Sequence, residues 1–176
     1  MSLANLNYFE IFSQPVSFQV AENDLEKEYR KLQGQYHPDK FSTASDHERL
    51  QALQHTSLIN DAYDTLKSPL KRAAYLLKLE GIDPEEHNQA HLNEDFLLKQ
   101  LELREALESL VENEHMDELL ALKSSITEEK QIALENFESV FGSDQFVEAK
   151  FLYNQLQFLF KLLDEIDRAE ERLLDY

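Results

Sequence analysis

The side chains best suited to acid–base chemistry gather in one short run, Gln35-Tyr36-His37-Pro38-Asp39-Lys40. A general base oriented by a carboxylate would use His37 and Asp39, with Lys40 as an electrostatic stabiliser. The proline between the two argues against it: a Pro-centred turn is expected to splay its flanking side chains, and no nucleophile or second acid is implied nearby. No phosphate-binding glycine loop and no HExxH pair occurs elsewhere. His87 and His91, four apart beside Glu85 and Glu86, are the other candidate constellation, for a metal. They fall next to Pro84 in a polar stretch without helical period, so no metal or cofactor is assigned. His47, His55 and His115 read as helix or loop residues at the surface. As a bare tripeptide, His-Pro-Asp is most simply a surface turn, and its meaning depends on what positions it.

The elements around it are helical. Three Gly and four Pro, against abundant Leu, Glu and Lys, predict an all-α protein. A short turn over Tyr8–Phe12 comes first. Leu25, Tyr29, Leu32 and Tyr36 then recur at helical spacing, predicting a helix over 22–36 that Pro38 must stop, because the residue before a proline is driven from the α region. The remainder of the corner, 41–45, reads as loop. A third helix is predicted over 46–67, with Leu50, Leu53, Ile59, Ala62, Tyr63 and Leu66 facing inward. Ser68-Pro69 is an N-cap followed by proline at the first helical position, and Gly81 is a C′ glycine. Residues 82–93 are polar and aperiodic and read as a linker. Beyond them, helices over 94–112, 116–141 and 144–174, joined by short connections, predict a three-helix bundle. The expected organisation is therefore 1–81, a linker over 82–93, and 94–176.

Charge divides the chain along the same line. Residues 1–75 hold 8 basic and 10 acidic side chains, whereas the rest holds 9 and 25 of the total of −18. Such acidity opposes nucleic-acid binding, where phosphate contacts supply most of the affinity. Within the first half, Lys27, Arg30 and Lys31 fall on the arc of their helix opposite the apolar stripe. That arc is either a solvated face or a docking strip for an acidic partner. The chain has no Cys, which removes disulfides and thiolate metal sites. Neither a membrane span nor a basic targeting segment is apparent, so the chain reads as cytoplasmic.

With the corner, the basic helix before it and the run Ile59-Asn60-Asp61-Ala62-Tyr63-Asp64-Thr65-Leu66 followed by Pro69, Arg72 and Tyr75, residues 8–77 resemble a J-domain. The resemblance implies that His37, Pro38 and Asp39 stimulate the ATPase of a DnaK-type chaperone. Lys27, Arg30, Lys31 and Lys40 would dock on it. No Gly/Phe-rich linker or cysteine-rich module follows, which separates the chain from general J-proteins of the DnaJ type.

The helix over 94–112 carries two stripes. Phe96, Leu103, Leu107 and Leu110 suit a bundle core, while Leu97, Leu98 and Leu101 lie on roughly the opposite face among carboxylates. By itself the second stripe is either an interdomain contact or an exposed binding patch. A J-domain, a short linker and an acidic bundle, with Gln100-Leu101-Glu102-Leu103-Arg104-Glu105 and an ending in Leu173-Leu174-Asp175-Tyr176, resemble the HscB co-chaperones of iron–sulfur cluster biogenesis. That resemblance implies an IscU-type scaffold protein held by Leu97, Leu98, Leu101, Glu102, Glu105 and Phe158, and an HscA-type partner ATPase; Phe158, at the margin of a broad apolar arc on the last helix, also reads as core. It implies a monomeric, non-enzymatic co-chaperone. The rival readings are a general J-protein for unfolded clients, a hydrolase using His37 and Asp39, and a weaker nucleic-acid module using the basic helix.

Overall fold

The computed structural model describes residues 3–86 and 94–174, which fall in two compact units, Met1–Gly81 and Ile82–Tyr176. In the first unit a four-residue helix, α1 (Tyr8–Ile11), precedes α2 (Glu22–Tyr36), α3 (Asp46–Lys67) and α4 (Pro69–Leu79). Local chemistry sets their limits. Asn7 and Ser45 each form a capping box, with Glu10 and Glu48 respectively, and Ser68 caps α4 with Pro69 next to it. Gly81 ends that helix at φ +76°, a conformation glycine adopts without steric cost.

Helices α2 and α3 form an antiparallel hairpin. Tyr29 stacks on Tyr63 at 3.9 Å, and a polar seam runs beside the rings. The Tyr29 hydroxyl donates to Asn60 Oδ1 at 3.0 Å, and the Gln33 amide donates to the same oxygen. Below the hairpin, Tyr8 stacks on Tyr75 at 4.4 Å, and the Tyr75 hydroxyl accepts the Tyr8 N–H. Arg72, only 6% exposed, donates to the carbonyls of Leu66 and Phe18 and lies over the Phe18 ring. It thereby ties the segment before α2 to the α3–α4 corner. Burial pulls its guanidinium pKa below the ordinary value, and Glu22 partly offsets that.

The inward face of α3 differs from the predicted one. Ala52, Ile59, Ala62 and Leu66 are buried, but Leu50 and Leu53 are exposed. At 100° per residue these leucines lie on the far side of the helix from Ile59 and Leu66, and the small Ala52 takes the position against the core.

In the second unit α5 (Glu94–Glu112), α6 (Met116–Gly142) and α7 (Phe146–Leu174) pack together. The α6–α7 pair is the core. Ten residues of α7 are buried, whereas on α5 only Leu107 is. Lys123 of α6 bridges Asp167 and Glu170 of α7 at 2.8 and 2.6 Å, which raises its pKa. Helix α7 starts two residues later than predicted. The turn before it passes through Asp144 at φ 58°, not through Gly142, which remains helical.

Candidate functional sites

The corner after α2 is built from backbone needs. Tyr36 is the last helical residue, so its carbonyl lacks an intrahelical partner. The Thr56 hydroxyl of α3 donates to it at 2.9 Å, while the Tyr36 ring meets His55 edge-on at 4.9 Å. His55 is half-buried by that contact, unlike the exposed His47 and His115. Pro38 forces His37 out of the helix, to φ −57° and ψ 129°. Residues Pro38–Phe41 then make one 3₁₀ turn, where a loop was expected, closed by the Lys40 N–H on the His37 carbonyl at 3.0 Å.

Within that turn His37 Nδ1 accepts the Asp39 N–H at 3.3 Å, so the proton of neutral imidazole is on Nε2. The Asp39 carboxylate stands 3.6 Å from the same Nδ1. The two side chains are thus not splayed by the proline, as the sequence suggested, but stand close together in the turn. They are still a poor catalytic pair, because Nδ1 is already an acceptor and has no proton for a carboxylate to orient. Both are open to water, 53% and 90% exposed as side chains, where electrostatic stabilisation is weak. The arrangement can present an N–H donor and a carboxylate, side by side, to a surface that closes over them.

On α2, Lys27, Arg30 and Lys31 are exposed, as is Lys40 in the turn. Arg30 pairs with Glu26 at 2.5 Å and Lys31 with Glu28 at 2.9 Å, each one helical turn back. Exposed pairs of this kind are worth only about 0.3–0.5 kcal/mol, so a partner's carboxylates displace them easily.

In the second unit Leu97, Leu98 and Leu101 are exposed by 44%, 58% and 55%, and Glu102 and Glu105 are exposed beside them. The five span an arc of about 140° on α5. The opposite face holds α5 in place: Phe96 meets Phe151 and Phe158 edge-on, and Lys99 pairs with Glu129 at 2.7 Å. Phe158 requires a correction. Expected to face a partner, it is 8% exposed, wedged against Phe96 with the Arg104 guanidinium 5.9 Å above its ring. Its ring supports α5 from behind and does not face out. Arg104 was not singled out in the sequence; its cation–π contact needs a pairing across helices that spacing cannot show.

In the second unit a cavity of about 170 Å³ is bordered by Ile82, Phe146, Val147 and Lys150. Lys150 donates to the Asp83 carbonyl there. Glu85 accepts the Tyr153 hydroxyl at 3.3 Å, and burial, helped by Glu85, pushes that phenol up to about 12. No cluster able to hold a metal ion occurs among the described residues, and the His87 and His91 pair lies outside them. None of the described helices is long and apolar enough to cross a membrane.

A helical hairpin that displays an ordered His-Pro-Asp corner beside a basic helix face defines a J-domain protein. Residues 7–75 match the DnaJ domain family, and residues 92–167 match the family described as the HSCB C-terminal oligomerisation domain. The Vibrio cholerae co-chaperone protein HscB homolog is 38% identical over 170 residues, covering 96% of this chain and 99% of its own. The Shewanella amazonensis counterpart is 37% identical over 97% of this chain and all of its own. The solved Vibrio cholerae chaperone HscB superposes with a TM-score of 0.87 at 39% identity, over 96% of this chain and 99% of that one. Human co-chaperone HscB superposes at 0.86 with 31% identity, over 94% and 83%. The chain belongs to the HscB co-chaperone family.

Proposed function

We propose that this chain binds an IscU-type iron–sulfur scaffold protein and delivers it to an HscA-type chaperone of the DnaK family, whose ATPase it stimulates. It acts in the cytoplasm as a monomer, with no catalysis, cofactor, nucleic acid or membrane of its own. Residues 1–81 serve as the J-domain, 82–93 as linker and 94–176 as the scaffold-binding bundle.

The observation that carries the reading is the pinned corner. His37 is held by its own turn, and the turn is held to α3 through Tyr36 and Thr56, yet its donor and carboxylate are left facing water. Such preorganisation lowers the entropic cost of docking on a partner. Lys27, Arg30, Lys31 and Lys40 steer an acidic ATPase surface onto it. The scaffold is held by Leu97, Leu98 and Leu101 with Glu102 and Glu105, an apolar patch with an acidic rim. Phe158 contributes by fixing the helix from beneath.

Steady-state ATPase assays with the HscA-type chaperone test this. His37→Gln should reduce stimulation to the basal rate while leaving fold and scaffold binding intact. Alanine at Leu97, Leu98 and Leu101 together should weaken scaffold binding by roughly two orders of magnitude, at about 1 kcal/mol per anchor. Full stimulation by the His37 variant would falsify the reading. If unfolded protein competes with the scaffold on equal terms, the chain is instead a general J-protein.

A further inference from the structure

The first turns of α3 carry an apolar pair that the core does not use. Leu50 is 54% exposed and Leu53 57%, while Ala52 between them is 1% exposed and faces inward. A single exposed leucine is ordinary. Two of them, three residues apart on one helix, form a patch whose place can be worked out.

Its level follows from Thr56, which bonds the carbonyl of Tyr36. Because α3 runs antiparallel to α2, moving one turn toward its start from Thr56 reaches the level of the turn Pro38–Phe41. Its side follows from Asn60, which marks the seam with Tyr29 and Gln33. On the α3 wheel Leu53 lies about 20° beyond Asn60 and Leu50 about 60° further, and on α2 Arg30 lies about 60° beyond Gln33. In an antiparallel pair, turning past the seam in the same sense on both helices leads to the same side of the hairpin. Leu50, Leu53 and Arg30 therefore share one side, and the leucines adjoin the His37 corner.

We propose that Leu50 and Leu53 are part of the surface that docks on the DnaK-type ATPase, and that they supply its apolar anchor. The inference rests on the co-chaperone reading above. A surface large enough to cover the corner and Arg30 together reaches both leucines, since they lie within about one helical turn of the corner. The division of labour is physical. Exposed charges accelerate encounter and are weakened by salt, whereas apolar burial slows dissociation and is little affected by it. The partner is accordingly an acidic surface with an apolar shelf beside it.

The test is ATPase stimulation titrated with the full chain at low and high salt, together with dissociation rates from the HscA-type chaperone. A Leu50→Ser, Leu53→Ser pair should raise the half-maximal concentration on the order of tenfold at both salt concentrations, mainly through faster dissociation. Its plateau rate, its helical circular dichroism and its scaffold affinity should match the parent chain. Leu50→Met with Leu53→Met should restore binding, and Val16→Ser, which removes a comparably exposed side chain elsewhere in this unit, should change nothing. An unchanged half-maximal concentration in the serine pair overturns the inference. So does a loss of self-association, or of scaffold binding, with stimulation intact, because the pair then serves a second copy or the scaffold. Should the parent chain itself give no stimulation, the co-chaperone reading falls and takes this inference with it; failure of the serine pair alone leaves that reading standing.

Discussion

Single side chains carry different burdens in the two units. Arg72 is a buried cation that donates to two carbonyls, so removing it leaves the Leu66 oxygen without this donor and takes one from the Phe18 oxygen. Arg72→Met should cost about 2–3 kcal/mol, read as a lower urea midpoint, because unsatisfied buried acceptors are penalised fully. A change within error would show that the two carbonyls find water. Tyr153 gives a pH signature. Its folded pKa, about 12, lies above the ordinary phenol value near 10, so the native state holds the proton that the unfolded chain loses first. Stability from this group is constant below about pH 9 and falls as pH rises between roughly 10 and 12, by about 2 kcal/mol. Denaturant midpoints across that range should decline less in Tyr153→Phe than in the parent. The His37 corner was legible in sequence as a tripeptide, but the tautomer of His37 was not, since it depends on which N–H reaches Nδ1.

At the scale of elements, helix limits were read closely because they depend on neighbours in sequence: caps at Ser45 and Ser68, a stop at Pro38, a glycine at 81. Three other helix ends use a left-handed residue that is not glycine. Ser13, Glu114 and Asp144 take φ of 53°, 55° and 58°, and each closes the same pair of backbone bonds, for instance the His115 N–H to Leu110 and the Glu114 N–H to Val111. A side chain there is strained by about 1 kcal/mol, least for Asp. Glu114→Gly should therefore raise stability by about 0.5–1 kcal/mol in urea melts, and Asp144→Gly by less. Equal destabilisation by both would mean that the side chains make contacts outweighing the strain. The inner face of α3 differs from the expected one at Leu50 and Leu53. The 100° period already separates Leu50 and Leu53 from Ile59 and Leu66 and groups Ala52 with the buried side chains, so the expected face gave too much weight to side-chain size.

For the molecule as a whole, two compact units each enclose their own buried set: Phe9, Ile59 and Leu76 in one, Leu119, Phe137 and Leu156 in the other. A chain ending at Gly81 should accordingly melt cooperatively on its own and stimulate the ATPase without binding scaffold. An unfolded fragment by circular dichroism would show that the first core is incomplete alone. The full chain should sediment as a 20.6 kDa monomer, a point worth measuring because the matched second-unit family is described as an oligomerisation domain. The sequence alone determined the all-helical class, the helix breaks, the His-Pro-Asp corner and the acidic second half, since hydrogen bonding and capping act within a few residues and charge is a property of composition. Only the tertiary structure decided what each apolar side chain meets. It buried Phe158 beneath Arg104 and left Leu97, Leu98 and Leu101 open. Burial is set by the surfaces that approach from distant parts of the chain, and spacing along one helix carries no record of them.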